Sequence, residues 1–128
     1  MTKLKVALKE VFLLTLSMVT GVLIWVLSPI FTGEAEPWDS ASGYYHLSML
    51  VSGFLIGFLG PKKAWLWPIG IYSGQFVYCL VKSIFLSSGA GVNFFYPIGM
   101  IFLIPYCLIS FLGSLIGAGI RKKLWLWK

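Results

Sequence analysis

Apolar residues fill four long runs along the chain, and polar residues gather between the runs or in sparse stripes within them. The runs cover roughly residues 11–31, 40–60, 64–87 and 94–120. A helix needs about 20 apolar residues to cross the hydrocarbon core of a bilayer, and each run is long enough. The pattern therefore predicts an all-α, polytopic membrane protein in which four transmembrane helices pack as a small bundle.

Composition strengthens this interpretation. Of the 128 residues, 59% are hydrophobic and 11% are charged, whereas roughly 25% are charged in an ordinary soluble domain. A soluble surface needs more charge than this, and a disordered chain would be much less hydrophobic. We therefore expect a single transmembrane domain over residues 1–128.

The distribution of basic residues predicts the topology. With four spans, both termini and the loop between the second and third spans share one side, which then holds nine of the ten basic residues. The tenth is Lys82, and three of the four acids fall on the other side. By the positive-inside rule, both termini lie in the cytoplasm and the protein lies in the plasma (inner) membrane. The basic tail at residues 121–123 is interpreted as an anchor at anionic headgroups, so the expected partner is the lipid bilayer and not nucleic acid.

The first run could also be a secretory signal peptide, because lysines precede it and Gly33-Glu34-Ala35 loosely fits a cleavage site. Its apolar stretch is about 21 residues, longer than the ~7–15 of a signal sequence, so we expect a retained helix. Aromatic residues near the predicted ends of the spans fit an aromatic belt at the membrane interface. They are Trp38, Tyr44, Tyr45, Trp65, Trp67, Tyr96, Trp125 and Trp127.

Part of the sequence repeats at an offset of 60 residues. Nine of fifteen positions are identical between 53–67 and 113–127, including a Gly-x-Leu-Ile-Gly segment and a Lys-Lys-x-Trp-Leu-Trp segment. One explanation is a duplicated helical hairpin, with two parallel halves at residues 1–63 and 64–128. The other is that two cytoplasmic helix ends converged on the same packing and anchoring residues.

Small residues form stripes at helical spacing in several spans. Gly53 and Gly57 lie on one face of the second span, and Gly113 and Gly117 lie on one face of the fourth. Small faces let helix backbones approach closely within a membrane. These four glycines are therefore predicted to pack helices together, and they carry no chemistry by themselves.

The third span carries a polar stripe that includes Tyr72, Gln75 and Lys82. Gln75 lies about 16 Å into the span, near the midplane, where an unpaired amide would cost several kcal/mol. It either forms an interhelical hydrogen bond or lines a path for a solute or ion. Pro68, Gly70 and Gly74 could loosen the helix around it, and Pro105 could do the same in the fourth span, where Tyr106 lies at similar depth.

A second candidate feature is a shallow polar cluster at the outer end of the bundle. Lys82 either extends to the headgroups or pairs with an acid of the first outer connection. Ionisable residues within a membrane are candidates for function, although a simple contact between loop and helix would also explain them. The cluster would comprise Glu34, Glu36, Asp39, His46, Lys82 and Asn93.

Several kinds of chemistry are disfavoured by the residues present. The acids are too few for a midplane carboxylate pair, and Cys79 and Cys107 form neither a redox motif nor a metal-binding pattern. We therefore expect no catalytic residues, metal or cofactor. The favoured function is a non-enzymatic assembly or accessory subunit, or a homo-oligomer, that acts through helix packing. The alternative is a small transporter or channel with a polar path near Gln75.

Overall fold

The computed structural model describes residues 2–39, 41–85 and 95–126, with the side chains of residues 95–97 excepted. Within these ranges the chain is helical, with no strand, which confirms the predicted all-α class. The helices are α1 (Lys3–Thr32), α2 (Tyr44–Leu59), α3 (Trp67–Phe85), α4 (Phe95–Phe102) and α5 (Ile104–Leu126), and a short 3-10 turn (Pro61–Lys63) follows α2.

Two glycines in the left-handed backbone region bracket the connection between α1 and α2. Gly33 has a φ of 77°, and its N–H donates to the carbonyl of Pro29 (3.1 Å), which ends α1. Gly43 has a φ of 74° and directly precedes α2. A side chain in this region costs about 1–2 kcal/mol, so both positions favour glycine. For this reason α2 begins at Tyr44 and not at residue 40, where the apolar run was predicted to start.

The repeated Lys-Lys-x-Trp-Leu-Trp sequence adopts two different conformations. After α2, Gly60 and Pro61 precede the lysines, and proline cannot continue the hydrogen bonding of a helix. The chain therefore forms the 3-10 turn and enters α3 at Trp67, whose buried indole donates to the carbonyl of Gly60 (2.7 Å). In α5 the equivalent positions hold Ile120 and Arg121, and the helix continues through both lysines.

The fourth apolar run is divided into α4 and α5 at Leu103. Pro105 follows the division and has no N–H with which to bond the carbonyl of Ile101, four residues earlier. The N–H of Leu103 donates to the carbonyl of Met100 (3.1 Å), and the N–H of Tyr106 donates to that of Leu103 (2.9 Å). The interruption expected from Pro105 is thus present in the structure.

Helices α2 and α5 pack side by side in parallel, with glycines at the contact. A Cβ atom added at any of these glycines would collide with a backbone carbonyl of the other helix. The facing pairs are Gly53 with Ser110, Gly57 with Ser114, Gly113 with Leu50, and Gly117 with Phe54. Each glycine faces the residue three positions before its own counterpart in the 60-residue repeat. Residues that are 60 positions apart in the sequence therefore lie at the same height in the two packed helices.

Helices α1 and α3 form a second parallel pair of the same kind. Gly21 faces the carbonyl of Ile71, and Gly74 faces the carbonyl of Met18. Gly70 faces the side chain of Ser17. Helix α3 continues without a break through Gly70 and Gly74. The expectation that these glycines loosen the helix is therefore wrong. Because these glycines have no side chain, the backbones of α3 and α1 can approach each other closely.

Much of the outer surface is apolar. Among the helices that the structure describes, α1 and α5 are long and apolar enough to cross a membrane. Only 33% and 28% of their most apolar segments are buried within the protein. Helix α2 has 16 residues and is shorter than the 18 residues required of a candidate membrane span.

Candidate functional site

Gln75 lies at the centre of the bundle and has 0% exposed surface. Its Oε1 accepts hydrogen bonds from Trp25 Nε1 (3.2 Å) and from the Tyr45 hydroxyl (2.7 Å). Its Nε2 donates to the thioether sulfur of Met49 (3.0 Å). A single amide in α3 is thus bound to α1 through Trp25 and to α2 through Tyr45 and Met49.

The indole of Trp25 fixes the orientation of this amide. An indole N–H can only donate, so the amide oxygen must face Trp25 and the amide nitrogen must face Met49. Sulfur is a weak acceptor, so the nitrogen side of Gln75 is held less strongly than the oxygen side. Loss of the oxygen would leave two buried donors without an acceptor, and each such donor costs about 1–3 kcal/mol.

The connection between α1 and α2 closes one end of this cluster. The ring of Trp38 contacts that of Trp25 edge to face, with 4.7 Å between centroids. The Nε1 of Trp38 donates to the Glu36 carboxylate (2.6 Å), and Pro37 between them is fully buried. Trp25 also packs against Tyr78 at 5.8 Å. The acidic side chain of Glu36 therefore orients a tryptophan that covers the Gln75 cluster.

Two other members of the predicted outer cluster, Lys82 and Asp39, lie in α3 and in the connection between α1 and α2. Lys82 Nζ lies 6.0 Å from the ring centroid of Tyr78 on the same helix. Asp39 is exposed, and its backbone N–H donates to the carbonyl of Glu36 (3.1 Å). Asn93 lies outside the described residues.

His46 and Tyr72 contact the fourth run, which contains Tyr106. His46 is exposed and packs edge to face on Tyr106 of α5, with 5.0 Å between centroids. Tyr106 also contacts Tyr45, at 5.2 Å, and so extends the aromatic surroundings of the Gln75 cluster. The Tyr72 hydroxyl donates to the carbonyl of Met100 (2.6 Å), beside the division between α4 and α5. The contact of Tyr72 thus stabilises the end of α4.

The partners of Gln75 were not identified from the sequence. Trp25 lies inside the first apolar run, six residues before its end at residue 31, and a tryptophan at that depth needs a hydrogen-bond acceptor. The depth of Trp25 in the run is the sequence feature from which a buried hydrogen-bond acceptor could have been predicted. Tyr45 and Trp67 were assigned to the interfacial belt, but they are only 2% and 1% exposed. The Tyr45 hydroxyl joins α2 to Gln75 of α3, and the Trp67 indole joins the start of α3 to Gly60 at the end of α2.

A shallow groove of about 200 Å³ runs between α1 and α3 and is lined by residues such as Val22, Leu23 and Val77. The groove is apolar and does not include Gln75. Over the described ranges, no three histidine, cysteine, aspartate or glutamate side chains come together as a metal site. The geometry thus shows a buried amide that joins three helices.

No protein-family model, curated protein or solved structure matches the chain.

Proposed function

We propose that the chain is a non-enzymatic, multi-pass inner-membrane protein that acts through helix packing, as an assembly or accessory subunit or as a homo-oligomer. The enclosure of Gln75 carries this proposal. A residue that lines a solute path must reach water, whereas Gln75 has 0% exposure and bonds to side chains of α1 and α2. These bonds favour a role in holding helices together.

The apolar surface supports placement in a membrane. The core helix of a soluble protein is mostly buried, but α1 and α5 leave about two thirds of their most apolar segments uncovered. Leu23, Ile30 and Leu112 are among the large apolar side chains exposed on them. Lipid chains would cover these side chains without cost, whereas water would not.

The proposed arrangement has four spans with both termini in the cytoplasm. Helix α2 is about 24 Å long, shorter than the ~30 Å hydrocarbon core. Its flanking turns or a locally thinner bilayer would make up the difference. The fourth span would consist of α4 and α5 together, and the Tyr72 hydroxyl would satisfy a carbonyl at their division.

Cysteine labelling tests the topology. In a variant without Cys79 and Cys107, we expect an impermeant maleimide to label Glu36→Cys in intact cells. Lys62→Cys should react only after permeabilisation, because the lysine-rich turn lies on the cytoplasmic side. Labelling of Lys62→Cys in intact cells contradicts the four-span arrangement.

Flux through reconstituted liposomes tests the packing role against transport. We expect wild-type liposomes to pass ions and small solutes no faster than protein-free liposomes, and Gln75→Leu to lower the melting temperature. Selective flux that Gln75→Leu abolishes at an unchanged melting temperature would contradict the proposal and indicate a path near Gln75. The molar mass in detergent then separates a homo-oligomer from a subunit that needs another membrane protein.

A further inference from the structure

The basic 3-10 turn after α2 and the basic last turns of α5 lie at the same end of the bundle. Helices α2 and α5 are parallel, and after α2 the chain stays beside α5, where the Ser114 hydroxyl donates to the carbonyl of Ala64 (2.7 Å). The 3-10 turn that carries Lys62 and Lys63 packs against α5. The Arg121 guanidinium lies 5.1 Å from the ring centroid of Phe58, in the last turn of α2. The basic segment of α5 therefore begins beside the end of α2.

Positive charge at this end is largely unopposed. Three of the four acids in the chain lie in the connection between α1 and α2, next to the opposite end of α2. The fourth, Glu10, is bound by Lys63 at 2.7 Å. Lys62, Lys122 and Lys123 are exposed. The single acid near this end, Glu10, is thus already paired, while three lysines are exposed.

Exposed tryptophans accompany these cations. Trp65 is 57% exposed and Trp125 is 71% exposed. Helix α2 ends at Leu59, whose counterpart in the repeat is Gly119, so the last two turns of α5 extend beyond α2. Amphipathic rings beside cations suit the headgroup layer of a membrane.

We propose that these residues form a binding site for the phosphate headgroup of an anionic membrane lipid. Its members are Lys62, Trp65, Arg121, Lys122, Lys123 and Trp125. The lysine and arginine N–H groups would bind the phosphate oxygens, and the tryptophan rings would lie against the glycerol region. The inference rests on the proposed membrane placement, and it adds a lipid class and a defined site to that placement.

Lipid titration of the full-length protein in a neutral detergent tests the site. Thermal unfolding with increasing phosphatidylglycerol gives an apparent dissociation constant, and phosphatidylcholine and inorganic phosphate serve as comparison ligands. The test variant is Lys122→Gln with Lys123→Gln, both of which are exposed, so the fold should be retained. The matched control is Lys3→Gln with Lys5→Gln, which removes the same charge from exposed positions at the start of α1.

We expect phosphatidylglycerol to bind about 25-fold more weakly to the test variant, from about five-fold for each basic residue. The control should lose clearly less affinity than the test variant at about 0.15 M salt, because Lys3 and Lys5 are not members of the site and screening weakens the attraction of distant charges. Equal losses in both variants, equal binding of phosphatidylcholine, or equal stabilisation by inorganic phosphate would overturn the lipid site. External labelling of Lys62→Cys would instead overturn the membrane placement itself.

Discussion

Gly117 and Gly119 lie two residues apart in α5, and a methyl group added to each would meet different surroundings. At Gly117, a Cβ atom would collide with the carbonyl of Phe54 and lie 2.9 Å from the backbone nitrogen of Phe58. At Gly119, a Cβ atom would have nothing within 4 Å. The two positions share one helix and one residue type, so they differ mainly in contact with α2.

The two alanine substitutions should change the free energy of unfolding in opposite directions. Replacing glycine by alanine inside a helix stabilises it by about 0.5–1 kcal/mol when the new methyl group is unobstructed. Gly119→Ala should show this gain. Gly117→Ala must also separate two backbones, and overpacking of this kind costs about 1–3 kcal/mol. We therefore expect a net loss of ~1–2 kcal/mol for Gly117→Ala.

Reversible unfolding in mixed detergent micelles, followed by circular dichroism, measures both changes on the same scale. A larger substitution, Gly117→Leu, should increase the loss, because its side chain cannot fit between the helices. If Gly117→Ala stabilised the protein as much as Gly119→Ala did, the close contact between α2 and α5 would be refuted.

Three further predictions concern the hydrogen bonds of Gln75, the connection between α1 and α2, and the ion pair of Lys63. Gln75→Leu should lower the free energy of unfolding by about 2–6 kcal/mol, because two buried donors lose their acceptor; a double-mutant cycle with Tyr45→Phe should be non-additive, and simple additivity would contradict the hydrogen bond. Gly33→Ala should cost about 1 kcal/mol through backbone strain alone, and Gly33→Asn should cost less, since asparagine tolerates positive φ; equal melting temperatures would argue against the left-handed turn. Lys63→Gln should cost less than ~1 kcal/mol because its ion pair with Glu10 is partly exposed, and a loss that persists in 1 M salt would point to a different contact.

The helical class and the shared faces of Gly53 with Gly57 and of Gly113 with Gly117 could be predicted because both follow from local spacing. The stripe with Gly53 and Gly57 is visible in the sequence as a fixed helical period. The effect of Pro105 was also predictable, since the missing N–H is a property of the residue itself. Whether the 60-residue repeat arose by duplication stays a prediction, although its offset matches the packing register.

The partners of Gln75 could not be predicted because they depend on which helices are neighbours. The sequence gives the depth of an amide but not the side chains that surround it at that depth. Tyr45 was assigned to an interface because aromatic residues are common there, yet α2 begins at Tyr44 and directs Tyr45 inwards. The position of Gly43 in the left-handed region sets this start, and glycine alone does not reveal its φ in a sequence.

The pairing of α1 with α3 and of α2 with α5 has a consequence for biosynthesis. Neither close partner follows its mate directly along the chain. The chain must extend from Leu59 to Leu126 before α5 is complete, which takes roughly 3–13 s at about 5–20 residues per second. During that interval the glycine face of α2 has no mate from its own chain. The close contacts between α2 and α5 therefore form last. A chain that stalls before α5 would leave the face with Gly53 and Gly57 uncovered, and the α5 helix of another nascent chain could pack there instead.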